Sequence, residues 1–170
     1  MKLSKRSIFI IVLIIINFVI DQVSKKWVEA NVDMGDNSSI IGDIFTLHHV
    51  KNTGAFLGMG SELNDTLRLI LLLILPIVVL GAVLRHIFKD KNMDQMSLIA
   101  FCCIIGGGFA NVYDRILYGK VTDFLHLDFG GVFRTGIFNL ADVSVSAGMI
   151  MLLVAGVKQY LKEKKQKSLD

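Results

Sequence analysis

The chain has 170 residues and a formal net charge of +3, yet 53% of it is hydrophobic and only 19% charged, with a mean hydropathy of +0.59. A soluble domain carries roughly 25% charged residues, so the composition excludes an ordinary one, and the apolar content excludes disorder. Cys102 and Cys103 are adjacent within an apolar run, which excludes a disulfide scaffold and any CxxC metal or redox site; they read as small lipid- or helix-facing residues.

The first uncharged run, Ser7–Ile20, follows Lys2, Lys5 and Arg6. It has the charge pattern of a secretory signal, but Asn17 to Gln22 offers no small-x-small cleavage site, so it is expected to be an uncleaved first span. Asp21-Gln22-Val23-Ser24-Lys25 ends it. A carboxylate near a helix C-terminus opposes the macrodipole, and Lys25, one turn on, is its expected partner. Lys26 and Trp27 suit an interfacial anchor.

Beyond it, residues 44–50 are rich in β-formers and are predicted to form a short strand. Lys51-Asn52-Thr53-Gly54-Ala55-Phe56 then reads as a polar turn entering an apolar strip. Asn52 offers an amide that both donates and accepts, and Phe56 and Leu57 are placed to close over an apolar substrate. Gly58–Asp65 supplies helix-start residues for the second run, Leu69–Leu84, where Pro76 predicts a kink. Arg85, Lys89 and Lys91 follow.

The third run, Ser97–Ala110, ends in Gly106-Gly107-Gly108, each glycine costing about 1 kcal/mol against alanine in a helix, which points to close helix approach or a helix break. Asn111, Asp114 and Arg115 come next, with Asp114 and Arg115 expected to pair. A second strand is predicted over 121–127, bounded by Gly119 and Gly130. Asn139 and Asp142 open the fourth run, Val143–Val157, in a capping-box-like pattern. Lys158, Lys162, Lys164, Lys165 and Lys167 then suit a solvated helical tail near anionic lipid rather than a nucleic-acid site.

The expected fold is an all-α membrane protein, a single domain over residues 1–170 built as a four-transmembrane-helix bundle. The spans are placed at about 7–25, 67–85, 96–114 and 139–158, with external segments at about 26–66 and 115–138 carrying a small sheet over the bundle's outer ends. The lysines and arginines predict both termini cytoplasmic. Measured from Arg6, Gln95 and Lys158, the residues Asp21, Asn111 and Asp142 all lie 15 or 16 positions deep, roughly 22–24 Å up each helix. Polar groups on three helices at one level near the outer interface of a core about 30 Å thick are functional candidates by default.

Asp123, flanked by apolar residues in the second strand, is expected to fold down onto the fourth span's start beside Asp142. Two carboxyls in a partly desolvated site do not both ionise easily, so one holds a proton and the other removes one from water. No HExxH, GxSxG, Walker or Cys–His pattern is present, and no metal is required; His48 and His49 lack further ligands. The alternative is a small ion or solute carrier with a polar site near the outer face, which the single-face clustering of the acids and the lack of an inverted repeat disfavour.

Five blocks in this order resemble bacterial lipoprotein signal peptidase (signal peptidase II), an aspartic membrane protease family: Asp21-Gln22 with Lys25, Asn52 to Phe56, Gly106-Gly107 to Asn111 with Asp114-Arg115, Val121 with Asp123-Phe124, and Phe138-Asn139 with Ala141-Asp142. The resemblance implies a cytoplasmic (inner) membrane protease that cleaves diacylglyceryl-modified prolipoprotein just before the lipidated cysteine. It implies no cofactor, sensitivity to globomycin-type inhibitors and a monomer among membrane lipids. It makes Asp123 and Asp142 catalytic. Asn52, Gly54, Asn111, Arg115, Val121, Asn139 and Ala141 become substrate- or inhibitor-binding, and Asp21, Lys25 and Asp114 supporting. It also implies a β-rich cradle and a mobile flap-like helix over the cleft. One departure is Gly107-Gly108-Phe109-Ala110, where the family has glycine-alanine-x-glycine.

Overall fold

The structure, a computed structural model, describes residues 3–54 and 64–167. Its first helix, α1 (Lys5–Asn31), starts where the Ser4 side chain accepts the Ser7 N–H and ends at extended Val32. Strands β1 (Asn37–Ile41) and β2 (Phe45–Asn52) follow as a hairpin turning at Gly42, whose φ of +52° favours glycine. Asn64 caps a second continuous apolar helix over Asp65–Lys89. Within it, α2 (Asp65–Leu69) passes through a π turn at Ile70–Ile74 into α3 (Leu75–Lys89). The predicted disturbance near Pro76 therefore takes the form of a widened turn just before it, where the proline ring crowds the preceding turn and no N–H is offered back.

Asp94 caps α4 (Gln95–Tyr118), which runs unbroken through the three glycines and stops at left-handed Gly119. Strand β3 (Val121–Leu127) and α5 (Leu140–Lys167) complete the chain. The three strands form one antiparallel sheet in the order β1-β2-β3. Both predicted strands are present, β2 reaching Asn52, and β1 is an addition the sequence reading missed. Its exposed Asn-Ser-Ser-Ile-Ile carries no alternation to mark it.

Among the described residues, four helices are long and apolar enough to cross a membrane: Lys5–Asn31, Asp65–Lys89, Gln95–Tyr118 and Leu140–Lys167. The apolar core among the first three of them gathers Ile10 of α1, Leu80 and Ile87 of α3, and Leu98, Cys102, Ile105 and Val112 of α4. Outside it the surface is apolar as well, with Ile15, Ile16, Ile70, Leu71, Ile150 and Leu153 exposed, as suits a lipid solvent rather than water. Arg6 donates to the carbonyls of Ile87 and Asp90 at 2.7 and 2.8 Å, so the start of α1 and the end of α3 share one end of the bundle.

The glycines of α4 serve close approach. A methyl on Gly106 would sit 2.7 Å from Asn17 Cβ and 2.9 Å from the Ile14 carbonyl of α1, and one on Gly107 would strike the Ala141 carbonyl of α5. Both neighbouring helices are thereby drawn against α4 next to Asn111. Deeper in, Ser144 of α5 donates to Asn17 Oδ1 of α1 at 2.6 Å and shares the Cys103 carbonyl of α4 at 3.0 Å, a polar tie among three helices.

Candidate active site

At the end of the bundle capped by the sheet, α1 presents Asp21, Lys25 and Glu29 at intervals of four residues, one stripe of a helix. Lys25 is 2% exposed and lies 2.6 Å from Asp21 Oδ2, 2.6 Å from Asp114 Oδ2 and 2.9 Å from Asn111 Oδ1. Three acceptors match the three donors of an ammonium. The expected pairing of Asp21 with Lys25 is present. That of Asp114 with Arg115 is not: the ion pair of Asp114 is with Lys25, and Gln22 Nε2 donates to its other oxygen at 2.8 Å. Consecutive helical residues point about 100° apart, so Asp114 faces α1 while Arg115 turns towards Gly54 and donates to its carbonyl at 2.9 Å.

The N-terminus of α5 is organised by the same groups. Ala141 N–H donates to Asp21 Oδ1 at 2.8 Å, and Asp142 N–H donates to Asn139 Oδ1 at 3.0 Å while Asp142 Oδ2 accepts the Asn139 N–H at 3.2 Å. This is the reciprocal box expected at Asn139 and Asp142, and it satisfies helix-end donors that would otherwise be buried and unpaired. Capping does not use up Asp142. Its Oδ1 accepts from Asn111 Nδ2 at 2.9 Å, and Asn111 Oδ1 in turn takes Lys25 and Asn139 Nδ2.

Asp123 enters from β3. Val50 pairs with Asp123 and Asn52 with Val121 in the β2–β3 register, and Asn52 Nδ2 donates to Asp123 Oδ2 at 2.8 Å. Asn139 Nδ2 donates to Asp123 Oδ1 at 2.6 Å. Both oxygens therefore receive an amide, yet burial still pushes the carboxyl up to about 6, Asp142 adding to the shift while the hydrogen bonds from Asn52 and Asn139 pull it back. Asp123 is 2% exposed and Asp142 9%. The two carboxylates, one from β3 and one from the first turn of α5, converge on the fully buried Asn139.

The remaining expected site residues fall around this centre. Gly54 N–H donates to Asn52 Oδ1 at 2.7 Å, an Asx turn that fixes the amide. Arg115 lies within electrostatic reach of Asp142 and Asp123, and its Nε is buried without a hydrogen-bond partner among the described residues. Val121 and Ala141 are buried in the walls. An apolar cleft of about 500 Å³ reaches Asp142 along α5, lined by Phe133, Phe138, Val143, Ala147 and Ile150. Ala55, Phe56 and Leu57, and the flap-like helix expected nearby, lie outside the described residues.

His48 and His49 lie within the register shift of β2, between Leu47 and Val50, and stand apart from this centre. His49 Nδ1 meets the Val32 carbonyl at 2.7 Å, and His48 meets Thr46 Oγ1 at 2.8 Å and stacks edge-on against His126 at 5.5 Å. Burial, with the neighbouring His126, lowers the His48 pKa. Among the described residues no group of three or more His, Cys, Asp or Glu is placed to hold a metal ion.

Residues 13–158 match the family model described as signal peptidase (SPase) II. Proteins named lipoprotein signal peptidase are similar over nearly the whole chain. That of Borrelia duttonii (strain Ly) is 35% identical, covering 90% of this chain and 89% of its own, and that of Borreliella burgdorferi (strain ZS7) is 38% identical, covering 89% and 91%. A bacterial membrane enzyme solved by the in meso method at 2.3 Å superposes with a TM-score of 0.78 at 26% identity, covering 89% of both chains.

Proposed function

The chain belongs to the lipoprotein signal peptidase (signal peptidase II) family, a membrane protease of the aspartic type, and from that premise we propose that Asp123 and Asp142 form its catalytic dyad on a diacylglyceryl-modified prolipoprotein. The observation that carries the reading is their convergence on Asn139 from β3 and α5. Two buried carboxyls at one centre share a proton, and their titration belongs to the pair. One member holds that proton while the other is ionised, and the burial that raises Asp123 to about 6, with Asp142 adding to the shift, favours such a singly protonated pair.

The ionised carboxylate takes a proton from water as its oxygen attacks the scissile carbonyl carbon, while the protonated member gives its proton to the carbonyl oxygen. The tetrahedral diol then collapses. One hydroxyl proton returns to the dyad, the C–N bond breaks, and the amine of the lipidated cysteine leaves with the proton first taken from water. Asn52, Asn111 and Asn139 hold both carboxyls in place. Arg115 Nε and the peptide groups around Gly54 bind substrate, together with Val121 and Ala141 in the wall.

All four long helices span the inner membrane with both termini cytoplasmic, the sheet caps the outer face as a cradle, and the protein acts as a monomer among membrane lipids. A substrate tethered by acyl chains in the outer leaflet presents its scissile bond at that level, which raises its effective concentration. The apolar cleft beside Asp142 suits an apolar segment of such a substrate, and globomycin-type inhibitors compete for the same centre. Incubating the purified protein with lipidated and unlipidated precursor, with and without a chelator, tests this. Cleavage of the lipidated form alone, unaffected by chelation, is expected; chelator-sensitive cleavage or equal cleavage of both precursors contradicts it.

A further inference from the structure

The strand residues that bear Asn52 and Asp123 are held on their reverse side by a group the catalytic reading does not use. Glu29, eight residues after Asp21 on α1, accepts the Thr122 hydroxyl at 2.8 Å and is ion-paired with Lys51, and Lys51 Nζ also donates to Thr122 Oγ1 at 2.7 Å. Lys51 and Thr122 are directly opposed in the β2–β3 register. Each immediately precedes a site residue in the sequence, Lys51 before Asn52 and Thr122 before Asp123. Successive strand residues point to opposite faces, so a three-way contact on one face fixes where the next residue on each strand stands on the other. Thr122 is 4% exposed, which gives its hydroxyl hydrogen bond a rigid setting.

We propose that Glu29, acting through Lys51 and Thr122, is a positioning residue that sets the β2–β3 pair on the end of α1 so that Asp123 meets both Asn52 and Asn139 at hydrogen-bonding distance. This rests on the reading of Asp123 as a catalytic acid. A carboxylate near a helix C-terminus is disfavoured by the macrodipole, so Glu29 stands at a locally unfavourable place that its partners on β2 and β3, with Lys26 at 2.9 Å, offset. The contact joins the helix carrying Asp21 and Lys25 to the strands carrying Asn52 and Asp123, so one element indexes both halves of the site.

The test measures kcat, KM and the pH profile of kcat on lipidated precursor for Glu29→Gln, Thr122→Val, Thr122→Ser and the Glu29→Gln/Thr122→Val double variant, with thermal melting of each in detergent. Displacement of a catalytic carboxyl by a fraction of an ångström lowers kcat about tenfold. Glu29→Gln and Thr122→Val are expected to show that loss with KM within twofold and a displaced pH profile. Thr122→Ser, which keeps the hydroxyl, is expected to restore kcat, and the double variant to be no worse than the worse single one.

Destabilisation alone would leave the profile of the folded fraction unchanged. The charged groups facing Asp123 are Asp142 of α5, Lys25 of α1 and Arg115 of α4, all intact in these variants. Wild-type kcat and profile in Glu29→Gln and Thr122→Val, equal losses in Thr122→Ser and Thr122→Val, or additive losses in the double variant overturn the proposal. A failure of that kind beside an inactive Asp123→Asn leaves the dyad standing, whereas an active Asp123→Asn removes the dyad and this inference together.

Discussion

Asn139 donates to Asp123 across 2.6 Å from a side chain that is itself completely buried. The same side chain accepts the backbone N–H of Asp142 and so belongs to the cap of α5. The cap of α5 and the contact to Asp123 share one amide, so the first turn of α5 cannot shift without moving the partner of Asp123.

Burial of Asp123 sets a pH dependence of stability with a definite sign. In the unfolded chain an aspartate titrates near about 3.9, while in the fold this one is raised to about 6. Between those values the folded form holds a proton that the unfolded form has lost. The contribution of this group to stability is therefore greatest below about pH 4, declines as pH rises to about 6 and is flat above, a change on the order of 3 kcal/mol. Melting in detergent across pH 4–7 is expected to show that decline, with a flatter profile in Asp123→Asn; identical slopes in the two proteins would contradict it.

Lys25→Met is expected to be among the most damaging single changes outside the proposed Asp123–Asp142 pair. It removes the ammonium from a buried cluster and leaves Asp21 and Asp114 without their shared cation, a class of change that costs roughly 3–5 kcal/mol. Asn111 loses one of the contacts that orient it towards Asp142. A fall in melting temperature together with a loss of processing is the expected pair of results, and wild-type melting would show the cluster to be dispensable.

The two adjacent histidines separate stability from chemistry. His49→Ala removes a 5% exposed ring bonded to the Val32 carbonyl and is expected to lower stability by about 1–3 kcal/mol while the folded fraction keeps its kcat. His48→Ala is expected to be mild in both respects. Loss of turnover in either variant, normalised to folded protein, would bring the histidines into the mechanism.

The parts legible in the sequence are those encoded by local periodicity. Long uncharged runs give the four helices, the spacing of Asp21 and Lys25 gives their pair, and Asn139 three residues before Asp142 gives the cap. Comparing depth along separate helices also brings Asp21, Asn111 and Asp142 to one level. Contacts that depend on how elements dock are not legible in this way. Asp114 turns from its neighbour Arg115 to Lys25 because helix packing decides which face it meets. Glu29, Lys51 and Thr122 meet only once the strand register is set, and Ser144 reaches Asn17 only because Gly106 and Gly107 let three helices close together. An acid near a helix end without a cation one turn later on the same helix was the available signal for Glu29.

The most direct measurement of the central claim is processing of a lipidated precursor by purified, correctly inserted Asp123→Asn and Asp142→Asn. Each substitution keeps the shape of the side chain and removes the ability to exchange a proton, so no processing above background is expected from either at equal amounts of folded protein. Full turnover by one of them would show that the two carboxyls do not work as a pair.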